Sequence, residues 1–381
     1  MMKRRVVVLG ATGSIGESTM RVARALPEQI GIIALSGRNN AQRLLELARE
    51  FPSATLCAGN EKAAESLRGE LPGRDVLHGG RGLEELASLP EADIVLIAIV
   101  GTAGLRPALK ALESGKDLAV ASKEILVMAG EQVMATAKRS GRRVLPVDSE
   151  HNAIFQCLEG KDPSTIKRLI LTCSGGPFRN APADHLASVT PEQALRHPTW
   201  SMGRKISIDS ATLFNKGLEM IEARWLFDIP MEKIDVVIHP QSIVHSMVEF
   251  VDGSIIAQMS TTDMALPIQY ALTYPGRFSG ACAPLDLATV GRLDFEAPRT
   301  DLFPALNLAR RAGTAGGTLP AVLNAANEAA VDAFLADRLS FPGIWESVAR
   351  AMETVPFVEH PTLEQLIEAD TAARAAVGDG E

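Results

Sequence analysis

A chain of 381 residues exceeds what one ordinary hydrophobic core organises, so two or three domains are expected. Its 46% hydrophobic and 22% charged residues are those of a folded water-soluble protein, and a net charge of −8 with only 4% aromatic residues argues against a nucleic-acid partner. The four cysteines (Cys57, Cys157, Cys173, Cys282) contain no CxxC pair, and no apolar run reaches the roughly 20 residues of a membrane span, so reduced thiols, a cytoplasmic location and no membrane contact are expected.

In chain order, residues 5–9 read as a buried strand, followed by the turn Gly10-Ala-Thr-Gly-Ser-Ile-Gly16 and a helix to about Ala25. Lys3-Arg4-Arg5 precedes a run too short for a signal segment. Strands are expected at 30–35, 54–57, 93–100, 117–120 and 143–147, with helices at 41–51, 61–68, 105–114 and 129–140 between them. This alternation predicts a doubly wound parallel sheet. After Glu150 the pattern changes. Strands at 166–172 and 235–238, and a hairpin of 244–250 and 254–260 about Asp252-Gly253, predict a second α+β domain. Residues 178–205 contain three prolines and little periodicity, as a lid loop would. Residues 275–298 read as a linker, and from Thr300 the chain is mostly helical, most clearly at 321–335 and 363–376.

The glycine turn lets backbone approach a pyrophosphate and opens a helix whose N–H groups can bind it; taken alone it is equally a tight turn. The second strand ends in Gly37-Arg38-Asn39, with no acid for a ribose 2′-hydroxyl. Arg38 suits a 2′-phosphate, predicting NADP over NAD, unless it is a solvated turn residue.

Asp148 and Glu150 lie two apart at the end of an apolar run. On a continuing strand they would share one face; otherwise Asp148 caps a helix starting near Asn152. Carboxylates without His or Cys partners favour hard cations such as Mg²⁺ or Mn²⁺. Ser174-Gly-Gly-Pro-Phe178 and the run Ser207–Lys216 collect hydroxyls, an amide and a cation suited to a phosphate monoester, or serve as turns and helix caps.

Taken together, Gly10–Gly16, Ala121-Ser-Lys-Glu124, Val147–Gln156, Ser174–Phe178, His197–Ile206, Asn215-Lys-Gly-Leu-Glu219, Ile238–His245 and Leu323-Asn-Ala-Ala-Asn-Glu328 closely resemble the 1-deoxy-D-xylulose 5-phosphate reductoisomerase family. The resemblance covers essentially the whole chain. It implies an α/β fold made of an N-terminal Rossmann-type sheet, a central α+β catalytic domain and a C-terminal helical domain. The expected boundaries are 1–148 for the NADPH-binding domain, 149–275 for the metal- and substrate-binding domain with a lid near 185–205, 276–299 for a linker and 300–381 for the helical domain. It further implies NADPH- and metal-dependent isomerisation and reduction of the sugar phosphate to 2-C-methyl-D-erythritol 4-phosphate, in a homodimer. The metal would be Mn²⁺ or Mg²⁺, with Co²⁺ a third candidate.

Carried over by position, the resemblance implies Asp148, Glu150 and Glu219 as metal ligands and, with Lys123, as catalytic residues. Substrate contacts would be Lys123, Ser149, Glu150, Ser174, His197, Trp200, Ser210, Asn215, Lys216 and Glu219. Cofactor contacts would be Thr12, Gly13, Ser14, Ile15, Gly37, Arg38, Asn39, Ser122, Glu124 and Gly203. Three positions depart from the family pattern: Ala11 for Ser, Ser122 for Asn, and Cys173 before Ser174. Two other readings compete: an NADP-dependent, metal-assisted hydroxy-acid dehydrogenase, which would need an arginine-rich carboxylate pocket, and a non-catalytic NADP-binding regulator, which would lack a metal-ligand acid.

Overall fold

In the computed structural model, which describes residues 3–197 and 202–378, the chain separates into two compact units. The first comprises Met1–Ile125, Glu131–Asn152 and Asp263–Pro284. The second comprises Leu126–Gly130, Ala153–Thr262 and Leu285–Glu381.

The first unit is built on β1 (Arg4–Leu9), β2 (Ile30–Gly37), β3 (Thr55–Ala58), β4 (Val76–His78), β5 (Ile94–Ile97), β6 (Asp117–Val120) and β7 (Val144–Pro146). They form one sheet in the order β4-β3-β2-β1-β5-β6-β7, with every pairing parallel. Parallel strands are covered by helices on both faces and therefore read as unbroken apolar runs. Val6–Leu9 and Ile94–Ile97 are such runs, fully buried. The winding reverses between β1 and β5, and in sheets of this kind ligands bind outside the strand ends at that reversal. The glycine turn leaves β1 there.

Two boundaries differ from the sequence reading. The strand expected to run through Val147 stops at Pro146, which has no N–H for a further ladder bond, and a helix spans Ser149–Leu158. Asp148 precedes that helix, its carbonyl accepting from Asn152 N at 2.9 Å, while Glu150 lies in the first turn. The shared-face argument for the two acids therefore fails. The helix-start alternative holds instead, because Asp-Ser-Glu is a favourable helix opening. Second, residues 263–284 belong to the first unit, where helix Ala265–Thr273 packs against helix Ser14–Ala25 and against β1 and β7. That helix is buried on nearly every side, so it has no polar stripe and no legible period.

The second unit contains β8 (Ile166–Cys173), β9 (Ile234–Ile238), β10 (Val244–Phe250) and β11 (Ile255–Met259), ordered β11-β10-β8-β9. β8 and β9 are parallel; β10 is antiparallel to both β8 and β11. The β10–β11 turn is the expected one, with Gly253 at φ 86° and Ser254 N donating to Asp252 Oδ1 at 2.9 Å.

Helices Phe214–Phe227, Ala305–Ala315, Leu319–Leu335, Phe341–Thr354 and Leu363–Gly378 share one core, in which Phe214, Leu218, Leu323, Phe334, Phe341 and Ile344 are buried. Residues 300–381 thus do not keep a core of their own. Helix Leu319–Leu335 buries most of its circumference and needs partners on several sides. Within 178–205 the described residues are less irregular than expected: Ala183–Ser188 is a 3₁₀ turn, and a Thr190–Gln193 capping box starts the short helix Pro191–Ala194. The expected linker also pairs with the sheet unit, Ile238 and Glu296 exchanging two backbone bonds of 2.9 Å.

Helix Lys123–Ser140 is interrupted at Ala129 (φ −139°, ψ 34°), and at the next residue, Gly130, a Cβ would collide with the indole of Trp225. Gly130→Ala is expected to destabilise the chain by about 1–3 kcal/mol through overpacking, read as a lower denaturation midpoint. An unchanged midpoint would show that Trp225 moves aside freely.

Candidate active site

The nucleotide turn is set by backbone geometry. Gly10 has φ 97°, and a side chain there would strike the Ala98 carbonyl, so only glycine fits. Gly10 N donates to Ser36 Oγ at 3.0 Å and Ala11 N to Ser36 O at 2.8 Å, tying the turn to the end of β2. Helix Ser14–Ala25 then starts from Gly13 with no side-chain cap. Its first N–H groups have no intrahelical acceptor, the arrangement that holds a phosphate. Thr12 and Ile15 are half-buried, while Gly13 and Ser14 are exposed.

Gly37 ends β2, and Arg38 and Asn39 follow it on the surface. Arg38 forms no ion pair among the described residues. Ser122 is buried and its hydroxyl donates to the Ile99 carbonyl. Where the family usually has Asn, this shorter side chain is thus engaged by backbone. Glu124 is buried in the first turn of helix Lys123–Ser140.

The same helix start carries Lys123, whose Nζ lies 2.6 Å from Asp148 Oδ2; the side chains are 10% and 13% exposed. Ser149 Oγ donates to Glu150 Oε2 at 2.5 Å. The first unit therefore sets Lys123, Asp148, Ser149 and Glu150 close together along the chain ends of β6 and β7.

In the second unit, β8 runs into Ser174-Gly175-Gly176, and both glycines have positive φ (81° and 68°). The loop folds onto helix Arg204–Thr212: a Cβ on Gly176 would lie 2.6 Å from the Ser210 carbonyl. Close backbone approach thus brings the Ser174 loop against the turn that carries Ser210. Ser174 Oγ accepts from Gly176 N at 3.3 Å and shares a 2.9 Å hydrogen bond with His197 Nε2. Burial lowers the His197 pKa below its usual 6.5, so the ring is neutral at pH 7. Gly203 is the N-cap of helix Arg204–Thr212. Trp200 lies outside the described residues.

Leu213, at φ 66°, breaks the chain between that helix and Phe214–Phe227. The break redirects the next helix, on which Asn215, Lys216 and Glu219 stand three and four residues apart on one side. Asn215 Nδ2 donates to Glu219 Oε1 at 2.5 Å, and Lys216 Nζ pairs with Glu219 Oε2, both side chains at most 2% exposed. Leu213 and Gly176 are shaping residues that sequence reasoning missed. Two successive glycines were the available signal for the second; nothing marked a leucine as left-handed.

His239 and His245, given no role from the sequence, are buried. His239 donates from Nδ1 to the Asp294 carbonyl at 2.8 Å and stacks on Phe295 at 4.8 Å, which is a structural use of the ring.

Residues 6–130 match the family model described as 1-deoxy-D-xylulose 5-phosphate reductoisomerase. Residues 144–227 and 259–376 match two models for C-terminal domains of the same enzyme. The chain is 51% identical over 381 residues to the 1-deoxy-D-xylulose 5-phosphate reductoisomerase of Symbiobacterium thermophilum, covering 98% of each. It is 50% identical to that of Pseudomonas putida strain W619, covering 97% of this chain and 96% of the other. Among solved structures, the Zymomonas mobilis enzyme in complex with NADPH is 42% identical, with a TM-score of 0.93 over 99% of each chain. A reductoisomerase in complex with NADPH, fosmidomycin and magnesium is also 42% identical with a TM-score of 0.93, covering 99% of this chain and 98% of that one. By full-length identity and by all three family models, the chain belongs to the 1-deoxy-D-xylulose 5-phosphate reductoisomerase family.

Proposed function

We infer that this chain isomerises and reduces 1-deoxy-D-xylulose 5-phosphate to 2-C-methyl-D-erythritol 4-phosphate, using NADPH and a divalent cation. The observation that carries this reading is the 51% identity across 98% of a relative bearing that activity in its name. The Ser, Asn and Lys donors around Ser174, Ser210 and Lys216 suit a phosphate better than a carboxylate, which favours this reading over a hydroxy-acid dehydrogenase.

For the cation we assign Asp148, Glu150 and Glu219. The residues fit: the donors are all carboxylate oxygens, and Asp148 and Glu219 each already face a lysine ammonium, a positive charge in a shielded place. Mg²⁺ is named with a solved relative, and Mn²⁺ and Co²⁺ suit the same donors. When bound, the ion polarises the substrate carbonyl and offsets negative charge on neighbouring oxygens.

The remaining roles are assigned to side chains of this chain. Lys123 donates to the carbonyl end of the substrate, Ser149 and His197 orient its hydroxyls, and Trp200 is assigned a further substrate contact. Ser174, Ser210, Asn215 and Lys216 hold the phosphate, which keeps the reacting carbons in place while a carbon–carbon bond is broken and remade. Thr12, Gly13, Ser14, Ile15, Ser122, Glu124 and Gly203 contact NADPH, while Gly37, Arg38 and Asn39 receive its 2′-phosphate end. By role, most of the nucleotide contacts fall within residues 1–148 and most of the metal and substrate contacts within 149–275.

No helix among the described residues is long and apolar enough to cross a membrane. Four free cysteines favour the reducing cytoplasm as the location.

Three measurements test these assignments. Chelation should abolish NADPH oxidation in the presence of substrate, and Mg²⁺ or Mn²⁺ should restore it. Glu150→Gln should lower turnover at least a hundredfold while NADPH binding stays near wild type. If NADPH binding is lost as well, Glu150 belongs to the nucleotide site.

Arg38→Ala should raise KM for NADPH by roughly 10–100-fold, as expected for losing charge-assisted bonds of about 1.5–3 kcal/mol, and leave KM for NADH nearly unchanged. Equal effects on both cofactors would contradict the 2′-phosphate assignment.

A homodimer is the assembly we propose, through the edge strand β11, where Ile255 is 52% and Met259 38% exposed. An edge with open N–H and C=O groups and apolar side chains is prone to pair with another copy. Ile255→Lys should shift the sedimentation profile towards monomer; an unchanged dimer peak would place the interface elsewhere.

A further inference from the structure

We propose that Asn327 and Asp209 are positioning residues for the phosphate end of the substrate site, a role that rests on assigning Ser174 and Ser210 to that phosphate. Asp209 lies on helix Arg204–Thr212, one residue before Ser210, and its side chain is 1% exposed. A carboxylate this deep requires compensating donors. It has two from different directions: Lys205 Nζ at 2.6 Å, one turn back on the same helix, and Asn327 Nδ2 at 2.8 Å, from helix Leu319–Leu335. Asn327 is therefore the bond that fixes the serine-bearing helix to the core.

That helix positions more than Ser210. The Gly176 backbone rests on the Ser210–Ala211 carbonyl turn, so the Ser174 loop takes its place from the same helix. A shift of the helix by a few tenths of an ångström would displace both serines together, and small misplacements at a binding site are expensive.

The supporting helix itself carries an unusual composition for this duty. It is apolar over most of its length, yet Asn324 and Asn327 are fully buried in it, and neither amide oxygen has a hydrogen-bond partner among the described residues. A buried unsatisfied carbonyl is destabilising, so neither asparagine is there to improve the packing of the apolar helix. Asn324 differs from Asn327 in its bond: its Nδ2 donates to Glu328 Oε1 at 3.1 Å, not to Asp209. The two residues thus form a matched pair, equally buried and three apart, of which one reaches the serine-bearing helix.

The experiment compares Asn327→Leu with Asn324→Leu in the full chain, using inorganic phosphate as a competitive inhibitor against the sugar phosphate. Asn327→Leu should raise both the phosphate inhibition constant and the substrate KM about tenfold, with KM for NADPH within twofold of wild type. Asn324→Leu should leave all three within twofold, whatever it does to the thermal midpoint. Should Asn327→Leu fail to fold, Asn327→Ser is the substitute and should give the same KM split. Unchanged phosphate inhibition in the Asn327 variant, or an equal rise in the Asn324 variant, overturns the positioning role. If wild-type enzyme is not inhibited by phosphate in competition with substrate, the phosphate-site assignment itself fails first, and the two failures are told apart.

Discussion

A carboxylate withdrawn from water must meet a cation or several N–H donors, and the site of this protein is organised around that requirement. Asp148 meets Lys123, Glu219 meets Lys216 and Asn215, and Asp209 meets Lys205 and Asn327. Each pairing spends donors that the surrounding backbone must deliver accurately, because desolvation outweighs attraction when the geometry is loose. The acids are therefore held before any ligand arrives. Each of these carboxylates is already matched by one ammonium, so none is left as an uncompensated charge.

Delivery of those donors depends on where helices begin and end. Lys123 opens a helix after β6, and Ser149 opens one after β7. Asn215, Lys216 and Glu219 share one side of their helix through their spacing, and the left-handed Leu213 sets the direction of that helix. The Ser174 loop reaches Ser210 because Gly176 lacks a side chain. In each case function sits at an element terminus, where side chains converge and backbone groups are unspent. The sheets and apolar helices behind them supply rigidity.

The N-terminal alternation of strand and helix was legible because buried parallel strands are short apolar runs set between amphipathic helices. Val6–Leu9 and Ile94–Ile97 are clear cases. Helices buried on most sides, such as Ala265–Thr273 and Leu319–Leu335, carry no polar stripe. Their periodicity is silent, so neither the return of residues 263–284 to the first unit nor the shared core of residues 300–378 could be read. The Asp148–Glu150 pair shows a different limit. Spacing of two suggested a strand face, but Pro146 and the Asp-Ser-Glu opening turned the chain into a helix. The acids stay candidate ligands, but the strand-face reason for pairing them does not hold.

By itself the sequence determined the chemical types in play: a glycine turn suited to phosphate, an arginine where NAD enzymes place an acid, two neighbouring carboxylates suited to a hard cation, and a cluster of hydroxyl, amide and ammonium donors. Those follow from residue identity and short spacing, which act locally. Tertiary structure alone decided which donor holds which acid. That Asn327 reaches Asp209 across 118 positions, and that Ser174 bonds His197 while its loop rests on Ser210, are consequences of packing. Hydrogen bonds and ion pairs act only over a few ångströms, and separation along the chain carries no information about separation in space.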